Sequence, residues 1–480
     1  MNNNQRVVVG YDILFPYNEV PNCLNPKFLE FAYHTDYTFD TSEHFFRNKI
    51  KGEWSVFNAR FNVQLNDEKG FPGYFGIETR SVHAIIRERE RGNCYDWYYL
   101  IEPYGDIANF LGLDKQVNNI PFSKFIPSKT LEEIRNWGGY LVINYVIDGN
   151  ISKYQLIKLY KCLRDLNIPP NKIIICHNDF HLEQMMKPIF GNFMPKLIHF
   201  CWSLNSKAEE YFKKKQQDDY SFWLDDTKKA EYSFSNDDDV ENYNNKKHKF
   251  LNFNRRIRTH RAEILYFLWK NDIIQNNLVS YDYKLLTENS LDELKRKLNE
   301  QEFNNFENFL KETSPNTIDY TDLENVWGYG FENKDVYMKS LISIVSETLF
   351  YEESGYLSEK IWKPIVHGHP FILAGPHNSL KFLKNMGFQT FHPIINESYD
   401  SEKNPNIRLS MIFDEIKRLN SYTVEELSEI VKQLLPRLKH NKKLMYDIGS
   451  KKISLDYNHF LALTSKEHSV NNQKLKTSIL

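Results

Sequence analysis

The sequence predicts an α/β protein of two Rossmann-like domains, each a parallel sheet with helices between its strands. Three observations lead there. Short apolar runs alternate with stretches of helical spacing, first up to residue 202 and again from residue 249. A polar, charge-rich stretch separates the two series. The chain has 480 residues, more than one ordinary hydrophobic core accommodates.

Taken in order, Arg6-Val7-Val8-Val9-Gly10 reads as a buried first strand, a β-branched run stopped by glycine. Residues 40–125 are rich in Tyr, Phe and Trp with scattered Gly and Pro, and only short strands and loops can be drawn there. From Gly138 the pattern clears. Tyr140 to Ile147 is an apolar strand, Ser152 to Leu166 has helical spacing, and Lys172 to Cys176 is another apolar strand, a β-α-β unit with a right-handed crossover. Leu197 to Trp202 reads as a further strand. Residues 203–248, with KKK, DDD and repeated Asn, read as a solvated linker or insertion. Beyond it come strand Lys249 to Phe253, helix Arg261 to Ile274, strand Leu278 to Tyr281 and helix Leu291 to Leu310. A second series follows: strand Leu341 to Glu347, helix Ser358 to His367, strand Pro370 to Ala374 and helix Ser379 to Met386. Residues 409–448 read as amphipathic helices. The plan is an N-terminal domain over 1–202, a linker over 203–248, a C-terminal domain over 249–448 and a tail over 449–480.

Composition narrows the classes. Hydrophobic residues at 41% and aromatics at 15% supply sizeable cores and exclude general disorder. With 61 basic and 63 acidic residues the net charge is −2, which gives no overall field toward nucleic acid or anionic lipid. The five cysteines show no CxxC spacing, so neither a disulfide framework nor a zinc cluster is indicated, and a reducing, cytoplasmic compartment fits. The N-terminal residues lack the apolar core of a signal peptide, and no stretch approaches the roughly 18 apolar residues of a membrane span.

The densest chemistry lies between Ser346 and Gly375. An apolar strand ends in Ser346-Glu347-Thr348, a Gly-containing loop follows, and a helix opens with Ser358-Glu359-Lys360. A helix N-terminus offers free N–H groups and partial positive charge, which suits a diphosphate, and Lys360 adds a full charge where lysine is normally unfavourable. The plain alternative is that Ser358 only caps the helix, Glu359 complements its dipole and Lys360 is solvated. A second cluster, Asn252-Phe253-Asn254-Arg255-Arg256-Ile257-Arg258-Thr259-His260-Arg261, places four Arg and a His at a strand-to-helix turn. Arginine there matches a phosphate, with Arg255 and Arg258 ranked above Arg256 and Arg261. No DxD follows an apolar strand, since Asp237-Asp238-Asp239 sits in polar sequence, and no GxGxxG follows Val9.

The run from Ser346 to Gly375 resembles the donor-binding segment of the alpha-fucosyltransferase family, where a strand ending in a Glu-containing triplet leads to Thr-Glu-Lys and then to a strand-Gly element. It is also similar to the C-terminal halves of glycosyltransferases from phages and large viruses. Ser358 stands where the family has Thr, and Ser346-Glu347-Thr348 departs from its Glu-Asn-Ser triplet. The resemblance implies a GT-B architecture, two Rossmann-like domains facing a central cleft, and a metal-independent glycosyltransferase that inverts the anomeric centre. It implies a GDP- or UDP-linked sugar as donor, a glycan or other hydroxyl acceptor, no further cofactor, and a cytoplasmic setting, the host's for a virus. It points to Glu347, Ser358, Glu359 and Lys360, with an Arg of the second cluster, as donor-binding residues.

Inversion needs a base for the acceptor hydroxyl proton. Asp148 follows the strand from Tyr140, His177 and Asp179 follow the strand from Lys172, and Glu78 follows Tyr74-Phe75-Gly76-Ile77. All lie at carboxyl ends of expected strands, where α/β sites are built. Asp179 ranks first, then Asp148 and His177. The other function classes open to this sequence are a different nucleotide-sugar enzyme, such as an epimerase or ligase, and a non-catalytic glycan-binding protein on the same fold.

Overall fold

The computed structural model describes residues 7–11, 77–94, 96–101, 126, 128–144, 151–199, 201–215, 240–243, 245–254, 258–285, 288–316, 318 and 334–450. It is an α/β chain with two parallel sheets, and it divides into two compact units at Trp202/Ser203.

The first unit contains β1 (Val7–Tyr11), β2 (Ile77–Ser81), α1 (Val82–Glu90), β3 (Trp97–Ile101), α2 (Ser128–Asn136), β4 (Gly139–Asn144), α3 (Lys153–Asp165), β5 (Ile173–His177), α4 (Leu182–Phe190) and β6 (Lys196–His199). Its sheet runs β2-β1-β3-β4-β5-β6 with every pair parallel. The strand order reverses beside β1, which makes the β1/β3 edge the topological switch point. β5 is buried along its whole length, as expected of a strand covered on both faces. The capping box of Ser152 and Gln155 starts α3, whose Leu156, Leu159 and Leu163 form the stripe that enters the core with Leu141, Ile143 and Ile175.

The second unit begins with α5 (Trp202–Lys215) and continues through β7 (His248–Asn254), α6 (Thr259–Lys270), β8 (Leu278–Tyr281), α7 (Glu288–Lys297), α8 (Glu300–Thr313) and α9 (Lys334–Lys339). It goes on through β9 (Ser340–Ser346), α10 (Glu359–Val366), β10 (Phe371–Ala374), α11 (Ser379–Asn385), α12 (Pro405–Asn420), α13 (Val424–Lys432) and α14 (Leu435–Gly449). The four-stranded sheet runs β10-β9-β7-β8, again all parallel. The chain steps from β7 outward to β8, then returns past β7 to β9 and β10. The switch point is therefore the gap between the carboxyl ends of β7 and β9, where helices α6 and α10 both begin.

Several expectations are corrected. The stretch read as a linker opens with α5, in which Leu204, Ala208 and Tyr211 recur at helical spacing and are buried. A Cβ on Gly449 of α14 would overlap the Ala208 carbonyl, so glycine is what lets these two helices close on each other. The expected strand to Trp202 stops at His199. The single helix from Leu291 to Leu310 is two, because the Asn299 side chain accepts the Glu302 N–H and starts a new helix. Glu78 lies inside β2 and His177 is the last residue of β5, so neither follows its strand. Among the described residues no helix is long and apolar enough to cross a membrane.

Candidate functional site

The floor of the switch point in the second unit is polar, against the trend of buried parallel strands. β7 carries Asn252 and Asn254, two residues apart and so on one face, and both are buried. Asn252 Nδ2 donates to the Ile344 carbonyl of β9 at 2.6 Å and to Ser346 Oγ at 3.4 Å. Asn254 Nδ2 donates in turn to Asn252 Oδ1, and the Asn254 N–H donates to Ser280 Oγ of β8 at 3.3 Å.

Glu347, just past β9, is fully buried. Its Oε2 accepts the N–H of Ser358 at 3.0 Å and that of Thr348 at 3.2 Å, while Oε1 has no hydrogen-bond partner among the described residues. Burial pushes the carboxyl above the usual range, against the pull of Lys360 and of the Ser358 hydrogen bonds. Gly375, after β10, backs this carboxylate: a Cβ there would stand 3.4 Å from Glu347 Cγ and 3.1 Å from Ser379 Oγ.

Two first helical turns meet over Glu347. From α6, His260 Nε2 lies 2.9 Å from the Glu347 carbonyl, and Arg261 donates to the Ser346 and Glu347 carbonyls at 3.1 and 2.9 Å. Burial drives His260 well below the ordinary histidine range, and neighbouring Arg261 and Arg258 add to this, so it stays neutral. Burial, then Arg258, lowers Arg261 to about 10, and it remains a cation. Arg258 caps α6, is exposed, and spends one guanidinium N–H on the Thr348 carbonyl at 2.9 Å. Its fork has five N–H donors, so most face outward.

From α10, Ser358 is the buried N-cap, its Oγ accepting the Lys360 N–H at 3.3 Å. Lys360 Nζ lies 2.6 Å from Glu359 Oε1 and 3.3 Å from both Thr348 Oγ1 and Ser358 Oγ. That explains how a lysine is held at a helix N-terminus: an anion and two hydroxyls surround it. Burial lowers its proton affinity and Glu359 raises it. On Glu359, burial works upward but Lys360 and Lys363 outweigh it and hold the carboxyl at about 2.

The connection from 347 to 358 is braced from remote elements. Arg408 of α12 donates to the carbonyls of Phe350 and Gly375, the latter at 3.2 Å, and stacks over the Phe350 ring at 4.5 Å. Phe350 also stacks with His260, ring centroids 5.2 Å apart and 16° from parallel. Tyr351 donates to Glu263, which also pairs with Lys297. Ser203 of α5 donates to the Leu357 carbonyl at 2.7 Å and accepts from Trp362 at 2.9 Å.

In the first unit the expected catalytic residues sit at the end of β5. Asp179 has no exposed surface, and its Oδ1 accepts the His181 N–H at 2.8 Å, a turn that leads into α4. His177 pairs in register with His199 of β6, their rings edge to face at 5.4 Å, and His199 Nε2 lies 3.1 Å from the Asn178 carbonyl. Burial, with each other's proximity, takes His177 well below its usual range, and burial alone takes His199 to about 4. Among the described residues, the end of β5 thus brings together two imidazoles held neutral and the buried carboxyl of Asp179.

Of the expected donor residues, Arg258, Glu347, Ser358, Glu359 and Lys360 come together around the 346–348 backbone; Arg255 lies outside the described residues, as does Asp148. Arg261 donates to the Ser346 and Glu347 carbonyls. Sequence reasoning missed Arg408, gave Asn252 and Asn254 no role, and grouped with the arginines a His260 that burial keeps neutral. Polar residues at period two within the buried run of β7 were a usable signal for the two asparagines; Arg408 left none, being 58 residues from Phe350. Among the described residues no three His, Cys, Asp or Glu are grouped so as to hold a metal ion. The chain matches no protein-family model, no curated protein and no solved structure.

Proposed function

We propose that the chain is a glycosyltransferase of GT-B type whose second unit holds a nucleotide-sugar donor. The observation that carries this is the meeting of two helix N-termini, with Arg258 and Lys360, around a buried carboxylate at a sheet's switch point. A diphosphate fits the cations and the partial positive charge at the N-terminus of α10. When the glycosidic C–O bond breaks, negative charge grows on the leaving phosphate oxygen, and cations already fixed in place stabilise it without reorganising. Lys360 exchanges Glu359 for phosphate as its partner on binding. The acceptor proton goes to a base in the first unit, with Asp179 the leading candidate and His177 beside it. Asp148 stays a candidate on its sequence alone.

The test is a thermal-shift series with UDP, GDP and their sugar conjugates, followed by a transfer assay on those that bind. A bound nucleotide at about 100 times its dissociation constant stabilises the protein by about 2.7 kcal/mol. A flat melting temperature across the whole series would overturn the reading.

A further inference from the structure

The β9–β10 ladder ends where the Glu347 N–H donates to the Ala374 carbonyl at 2.9 Å, and beyond that bond a side chain from another element carries the connection. That side chain is Arg408. Its Nε donates to the Gly375 carbonyl at 3.2 Å, Nη2 to the Phe350 carbonyl, and Nη1 to the carbonyls of Glu402 and Lys403 at 2.8 and 3.3 Å. Burial lowers its proton affinity to about 10 while Asp400 and Glu402 work the other way, so it stays a cation. A buried cation bonded to neutral carbonyls keeps a desolvation cost that no carboxylate among the described residues offsets by direct contact. What it supplies is a rigid planar fork that holds several carbonyls at fixed places.

The carbonyl it holds on the β9 side leads to both cations. Phe350 is two residues from Thr348, and its ring meets the guanidinium at 4.5 Å and the His260 ring at 5.2 Å. Thr348 contacts each cation of the proposed site: its carbonyl accepts from Arg258 at 2.9 Å, and Lys360 Nζ lies 3.3 Å from its hydroxyl. Its own N–H is held by Glu347 Oε2 at 3.2 Å. Arg258 caps α6 and Lys360 belongs to α10, so neither helix alone sets the distance between them.

We infer that Arg408 is a positioning residue for the proposed donor site: it fixes Phe350, and through Phe350 it keeps Thr348 where Arg258 and Lys360 both reach it, which sets the spacing of the two cations. The inference rests on the nucleotide-sugar reading above. It adds a side chain of α12 that acts on the ligand only through others.

Calorimetric titration of the full chain with UDP and GDP tests this by coupling. Arg408→Lys keeps the charge and loses the fork. In the wild-type background it should weaken nucleotide binding by about tenfold, and in Arg258→Ala or Lys360→Ala by only about threefold, because one cation alone is left to misplace. An arginine that served only the fold would give the same loss in all three backgrounds. Equal losses, or no loss, would overturn the inference. Hydrogen exchange of the same chains without nucleotide reads the loop itself. The amides of Thr348 and Phe350, which donate to Glu347 and Glu352, should exchange about tenfold faster in Arg408→Lys while those of β7 stay unchanged. Wild-type exchange at both amides would overturn the inference as well. Should Arg408→Lys not fold, Phe350→Leu removes the ring contacts, keeps the carbonyl bond and carries the same expectations. A wild-type chain that binds neither UDP nor GDP would sink the underlying reading, and this one with it, however its amides exchange.

Discussion

The carboxyl ends of the two sheets are both lined with buried polar side chains, yet they are built for different work. At the end of β5, Asp179 is tied into a turn and the nearby imidazoles of His177 and His199 are held neutral. At the ends of β7 and β9, charges of both signs are packed together, with Lys360 against Glu359 and the exposed Arg258 bonded to the Thr348 carbonyl. Position differs as well. The charged cluster occupies the switch point of its sheet, whereas β5 lies two strands from the β1/β3 switch point of its own. The two ends thus differ both in charge and in their place in the strand order. Under the proposed function, the end of β5 takes the acceptor proton and the ends of β7 and β9 hold the anion.

The largest effect expected from this contrast is on the charged end. Arg258→Ala with Lys360→Ala should weaken nucleoside-diphosphate binding by about 1000-fold, each single change contributing about 1.5 to 3 kcal/mol. Affinity that survives the double change would remove the functional half of the comparison. Next comes Asp179→Asn, which keeps an oxygen for the His181 N–H and removes the basicity. Turnover should fall by about 100-fold at unchanged donor affinity and unchanged melting temperature. Normal turnover would make the end of β5 purely architectural.

A third, smaller effect is pH-dependent. Because the folded-state proton affinity of His199 is depressed to about 4, the unfolded chain binds its proton first as pH falls below about 6.5. Stability is thus intact above that pH and lost as pH drops from about 6.5 toward 4. His199→Gln should flatten this limb by up to about 1.4 kcal/mol per pH unit in urea unfolding. An unchanged slope would mean that the imidazole is solvated in the native protein. The smallest expected effect is none at all: excess EDTA should leave donor binding and turnover near their values in magnesium, since side-chain cations are proposed to hold the diphosphate. Complete, metal-reversible loss would replace those cations by an ion.

Much of the second unit was legible in the sequence. The strand Leu278 to Tyr281 appears with the bounds that its composition implies, and α10 falls within the expected helix Ser358 to His367. These elements announce themselves because local propensity, period and capping chemistry agree. Where they disagree the reading failed. In α5 a charge run masked the spacing of Leu204, Ala208 and Tyr211, and around β3 the consecutive aromatics Trp97, Tyr98 and Tyr99 are all buried, which hides any alternation. The site was half legible: its charged members sit in two short motifs, but the asparagine ladder needs the register of β7 on β9, and the Phe350 brace needs Arg408 from a distant helix. Contacts between remote segments leave no period to read.

That last dependence bears on when the site comes into being. A ribosome releases Glu347, Ser358 and Lys360 well before Arg408, whose guanidinium clasps the Phe350 and Gly375 carbonyls, and before Gly449, whose bare Cα admits the carbonyl of Ala208. A nascent chain arrested at residue 400 carries the whole Ser-Glu-Lys motif and none of the clasp. The nucleotide binding proposed above should switch on only as the final helices emerge, so the chain is silent for nearly all of its own synthesis.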